Sequence, residues 1–231
     1  MSEIENVNVE KEDKEVPYEE AKKTVLEALD IMGKEYTDKL KYAFENNWLD
    51  VYEKDNKMSG AYSMGVHSVH PYVLLNWQGT VDDVFTLAHE LGHAMHSYYS
   101  NKNQPYTYAG YKIFVAEVAS TVNENLLIKY LLAKSEDNTE KAYLINHYLE
   151  SIRLTIVRQV MFAEFEKKVH EMCENGEALT CEALCNTYYE LNKEYFGKNV
   201  IIDKEIEMEW ARIPHFYSSF YVYKYATGFS A

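Results

Sequence analysis

The chain has 231 residues, 47% of them hydrophobic and 26% charged, enough for one large domain or two small ones with a real core. A net charge of −14 leaves no basic stripe to neutralise phosphates, so nucleic acid is not an expected partner. No run of 18 apolar residues is present to form a membrane span, and three cysteines (Cys173, Cys181, Cys185) are too few for a disulfide framework and read as reduced thiols.

Residues 1–16 are charged and lack the apolar segment of a signal peptide, which predicts a flexible leader and a cytoplasmic location. Residues 17–231 are expected to form the folded domain. From Pro17 to about Trp48 the pattern is helical, with Val25, Leu26, Leu29, Met32 and then Tyr36, Leu40, Ala43, Phe44 on one side and a break at Gly33. After Asp50 glycines appear, and residues 71–77 (PYVLLNW) form a short apolar run of strand character, expected at a sheet edge. Gln78-Gly79 is a turn, and Thr80 with Asp83 three residues on is a capping-box-like helix start. The helix that follows has an apolar face of Val81, Val84, Leu87, Ala88, Leu91 and Met95. A loop over residues 101–110 precedes predicted helices at about 112–134, 139–174 and 180–196. A last helical stretch covers 205–229, interrupted near Pro214. The fold class is therefore mainly α, with one small β-sheet just before the helix that begins at Val81.

That helix carries His89-Glu90-Leu91-Gly92-His93, an HExxH motif. Residues four apart share a helix face, so both imidazoles can reach one zinc ion. Glu90 lies about 100° further round, where it can touch a metal-bound water without ligating the metal. This is the core of a metal-dependent peptide hydrolase. A catalytic zinc takes three protein ligands and a water, so a third ligand is needed. Glu117, set among Phe114, Val115, Ala116, Val118 and Ala119, is the candidate, because a carboxylate buried there is costly unless paired or metal-bound. The competing reading pairs it with Lys112 or Lys129, or turns it out to solvent. Glu124, two helical turns on, can brace a ligating histidine, the alternative being a solvated or salt-bridged carboxylate.

The segments HELGHAMHSYYS, PYTYAGYKIFVAEVASTVNE and RIPHFYSSFYVYKYATG, with GAYSMG and HPYVLLNWQGTVDDVFTLAHE upstream, resemble the oligoendopeptidase F branch of the M3 zinc metallopeptidases. The resemblance runs from about Tyr18 to the last residue. It implies a zincin-like multi-helix catalytic domain with one Zn2+ per chain on His89, His93 and Glu117, and Glu90 as general base. It further implies that His215, Tyr221 and Tyr223 stabilise the oxyanion. Spacing leaves Tyr221 and Tyr223 both open, with Tyr223 favoured, and packing is the competing role for either. A loop at Gly60, Tyr62 and Ser63 would approach substrate, and His70 and Tyr72, on the expected edge strand, would line an extended peptide held by main-chain hydrogen bonds. Short peptides are the expected substrates. Family members carry a further, mostly helical N-terminal part that walls a deep channel, so this chain resembles the catalytic portion alone, truncated at both ends. The missing N-terminal part is then a candidate partner. The alternatives are a zinc-binding fragment with weak or no activity, and a helical interaction module whose HExxH is incidental.

Overall fold

The computed structural model describes residues 15–231, so nearly all of the predicted leader lies outside the described residues. The chain divides into two compact units. One comprises the described residues up to Lys112 with Val118–Leu149, and the other Ile113–Glu117 with Glu150–Ala231.

The first unit opens with α1 (Tyr18–Ala28) and α2 (Lys34–Glu45). Gly33 separates them at φ 90°, a conformation that favours glycine, as the break in the pattern predicts. Three short strands follow, β1 (Leu49–Asp50), β2 (Tyr62–Met64) and β3 (Tyr72–Leu74), in the order β1-β3-β2. β1 runs parallel to β3, pairing Leu49 with Val73, and β2 runs antiparallel, pairing Ser63 with Val73. The expected edge strand is thus the central one. Val73 N–H donates to Trp48 O at 2.8 Å and Leu75 N–H to Asp50 O at 2.8 Å, so β1 covers a side that the sequence reading left open. A two-residue strand is too short to show alternation, which is why β1 escapes a periodicity argument.

α3 (Val81–Asn103) starts as predicted. The Thr80 hydroxyl accepts from Asp83 N–H at 3.2 Å, and the Asp83 carboxylate accepts from Thr80 N–H at 2.8 Å. α4 (Tyr106–Ala109) is a single turn, and α5 (Val118–Lys134) packs on α3. The helix predicted from residue 112 therefore begins six residues later. Ile113–Val115 is a 3-10 turn, and Glu117 stands immediately ahead of α5 rather than inside it. The core joins α1, α2, β3, α3, α5 and α6 (Asn138–Ile152) through Val25, Leu29, Leu40, Leu87, Leu91, Leu127 and Leu144. Asn123 ties three helices together: its amide donates to Ala88 O at 3.0 Å, and its Oδ1 accepts from Tyr36 O–H at 3.1 Å.

The helix predicted over 139–174 comprises α6, a widened π turn at Arg153–Val157 and α7 (Arg158–Glu174), the second unit taking it up from Glu150. α8 (Cys181–Phe196) is capped by Thr180, whose hydroxyl accepts from Ala183 N–H at 3.2 Å. The stretch predicted as helix from 205 is 3-10 over Lys204–Arg212 and Pro214–Tyr217, and becomes α-helical only in α9 (Tyr223–Ser230). Phe220, at φ 56°, breaks the path; the buried Glu166 carboxylate accepts its N–H. Met161, Phe162, Phe165, Tyr188, Leu191, Ile213 and Val222 form the core here. Glu209 is buried beside it, accepting from Tyr188 O–H at 2.6 Å and from the Arg158 and Arg212 guanidiniums at 2.7 and 2.6 Å. Among the described residues, no helix is long and apolar enough to cross a membrane.

Candidate metal centre

α3 places His89 and His93 one turn apart. Their Nε2 atoms face each other at 3.1 Å, with the rings nearly perpendicular at 85°. His89 Nδ1 bonds the Glu124 carboxylate of α5, a contact that the sequence anticipates. A carboxylate only accepts, so Nδ1 carries the proton and Nε2 keeps its lone pair for a metal. Glu90, between the two histidines in sequence, is buried.

Gly92 explains how α5 comes so close. A Cβ there would lie 2.5 Å from Ser120 Cα and 2.7 Å from Ala119 O, both backbone atoms, so only glycine admits this packing. The first turn of α5 is thereby held against the HExxH turn, and Glu117 directly precedes it. One ligand atom from each of His89, His93 and Glu117 lies within 4.8 Å of the other two. Tetrahedral zinc with Zn–N of 2.0–2.1 Å sets its ligand atoms about 3.3 Å apart, so two neutral imidazoles and a carboxylate at these separations suit the ion.

Glu117 is only 2% exposed, and its partner is neither Lys112 nor Lys129: Lys224 Nζ lies 2.7 Å from its Oε1. Lys224 also donates to the Tyr221 hydroxyl at 2.8 Å. Beside it, Tyr225 O–H and His215 Nε2 are 3.0 Å apart, and the Tyr221 ring lies 5.3 Å from the His215 ring. Burial, and then the Lys224 charge, hold the His215 pKa below the usual histidine value, with Glu117 acting in the opposite sense. His215 and Tyr221 are thus brought together, whereas the ring neighbour of Tyr223 is Phe114, at 6.3 Å. Tyr225 and Lys224 are the members that the sequence reading missed. Tyr225 stands four residues after Tyr221 in the stretch expected to be helical over 205–229, a spacing that shares one side of a helix, and the two rings lie 6.3 Å apart.

The proposed substrate residues divide in two. Gly60 (φ 86°), Tyr62 and Ser63 lie on or beside β2, an outer strand; Tyr62 is exposed, and the buried Ser63 hydroxyl has no hydrogen-bond partner among the described residues. His70 is engaged in packing: its Nδ1–H donates to Pro71 O at 2.7 Å, and its ring stacks on Trp48 at 5.4 Å and leans on Tyr72 at 4.4 Å. Tyr72 itself is exposed.

Residues 2–231 match the model of Peptidase family M3. The chain belongs to this family. It is 56% identical over 216 residues to Oligopeptidase PepF of Bacillus subtilis and 53% identical over 214 residues to the chromosomal Oligoendopeptidase F of Lactococcus lactis subsp. cremoris. These matches cover 94% and 93% of this M3 chain but 32% and 36% of the two relatives. A putative peptidase from Chlamydophila abortus superposes with a TM-score of 0.76 at 48% identity, over 93% of this chain and 36% of that one. Oligoendopeptidase-F from Enterococcus faecium gives 0.61 at 38% identity, over 94% and 32%. The M3 chain therefore spans about a third of the length of the proteins it matches.

Proposed function

We propose that this chain is the catalytic part of a zinc-dependent endopeptidase that hydrolyses short oligopeptides. The observation that carries the reading is the convergence of His89, His93 and Glu117, with the buried Glu90 between the two histidines in sequence. Zinc bound by these three residues would lower the pKa of a water in the open position and polarise the scissile carbonyl. Glu90 accepts the proton of the attacking water and returns it to the leaving amine. Glu124 fixes the His89 tautomer and ring orientation. His215 and Tyr221, with Tyr223 as the further tyrosine, are proposed as donors to the oxyanion that develops on the substrate. The outer edge of β2, rather than β3, is the main-chain row to which an extended peptide would add, with Tyr62 and Ser63 nearest it.

The test is a pair of substitutions. Glu90→Gln is expected to keep about one zinc per chain and abolish turnover of a quenched oligopeptide, whereas His93→Ala is expected to lose the zinc itself. Undiminished turnover by Glu90→Gln would overturn the general-base assignment. A second reading is favoured by length: a chain covering about a third of its relatives can bind zinc yet turn peptides over weakly until the remainder of such an enzyme is supplied. Assay of the 231-residue chain beside a longer protein containing it separates the two.

A further inference from the structure

We propose that Lys224 is a positioning residue for the metal ligand Glu117, an inference that rests on the zinc-site reading above. A lysine is seldom buried without partners, and Lys224 is 6% exposed. Its ammonium has several. Nζ lies 2.7 Å from Glu117 Oε1, donates to the Tyr221 hydroxyl at 2.8 Å, and sits 4.0 and 4.7 Å from the ring centroids of Tyr221 and Tyr225. The approach is built into α9. Gly228, one turn after Lys224 and on the same helix face, packs so closely that a Cβ there would lie 2.6 Å from Glu117 Cβ. One residue lets the helix touch the backbone of the ligand, and the other reaches its carboxylate. With Oε1 held by the ammonium, the carboxylate is fixed in one orientation before a metal arrives.

Two effects of opposite sign act on the metal. A cation beside the site repels zinc, so its removal would tighten binding. An oriented ligand pays no ordering entropy when the metal arrives, so removal of the tether would weaken binding. The second effect is the larger here. Partners that orient a metal ligand typically contribute 10–100-fold in metal affinity.

The experiment measures zinc affinity of the 231-residue chain by competition with a chromogenic chelator, at a temperature where circular dichroism shows each variant folded. Lys224→Met is expected to weaken zinc binding about 10–100-fold. Lys224→Arg, which keeps charge and donors, is expected to recover most of that loss. Should Lys224→Met not fold, Gly228→Ala displaces Glu117 by a separate route and is expected to weaken zinc in the same direction. Unchanged or tighter binding in a folded Lys224→Met or Gly228→Ala overturns the proposal. So does equal loss in Lys224→Met and Lys224→Arg, which would mark a merely structural lysine. His93→Ala tells the two failures apart: if it too binds zinc normally, the metal-site reading itself is wrong.

Discussion

The two units bury charge in different ways. Among their described residues, the first buries Glu90 and the side chain of Lys57, which donates to Asp50 O and Tyr52 O, and has an apolar core that links five helices and a strand. The second has a smaller core and buries Glu117, Glu166, Glu209 and Lys224, each engaged by a partner from another segment. Packing of apolar faces places the histidine pair. Ion pairs and hydrogen bonds place the segments around Glu209 and Lys224. The first kind of placement leaves a periodic trace in sequence, and the second does not.

The most severe test of this contrast removes a buried ionic partner. Arg158→Met leaves Glu209 with Tyr188 and with Arg212, whose side chain is 74% exposed. Breaking a buried pair by deleting one partner typically costs 3–5 kcal/mol, and the surviving Arg212 sets the expectation at the low end, about 3 kcal/mol. Denaturant melts would measure it, and hydrogen exchange should locate the lost protection in α8 and Lys204–Arg212 while α3 stays protected. A loss well under 1 kcal/mol would show that the exposed Arg212 satisfies Glu209 alone.

The matching test in the first unit is steric. Gly92→Ala drives a methyl against the backbone of Ser120 and Ala119. Overpacking typically costs 1–3 kcal/mol, and alanine recovers about 1 kcal/mol of helix propensity, so the net loss should be about 2 kcal/mol or less. Zinc stoichiometry should fall further than stability, because the start of α5 must move and Glu117 directly precedes it. A variant that keeps full zinc with the helices displaced would show that Glu117 is placed independently of the α3–α5 contact.

What was legible in the sequence follows the same division. α3 was readable because apolar spacing, the Thr80–Asp83 cap and HExxH all point to one helix, and the burial of Glu117 was readable from its apolar flanks. The assignments of His215 and the tyrosines came from family resemblance. Lys224 remained hidden because an ion pair between distant positions imposes no spacing on the residues around it. The central position of β3 was missed because it depends on main-chain bonds from Trp48 and Asp50, which carry no side-chain signature. The 3-10 turns over 204–217 were read as α-helix because apolar spacing alone does not separate the two over so few residues.

The smallest expected effect is in pH dependence, where each unit contributes one histidine. His96 is held below the usual value by burial and then by the charge of His93; His215 is held below it by burial and then by Lys224, against an opposing pull from Glu117. A histidine in the unfolded chain titrates near 6.5. As pH falls through that value the unfolded chain takes up protons first, so the stability from both neutral rings is fully present above about 6.5 and is lost toward their lower folded pKa values. In metal-free protein, a nuclear magnetic resonance titration of the ring protons should find both below 6.5. Lys224→Met should raise the His215 value by removing a neighbouring positive charge, and should leave His96 where it is. A His215 that titrates unchanged in that variant would mean that the Lys224 charge does not reach its ring, and that burial is what holds its pKa down against Glu117.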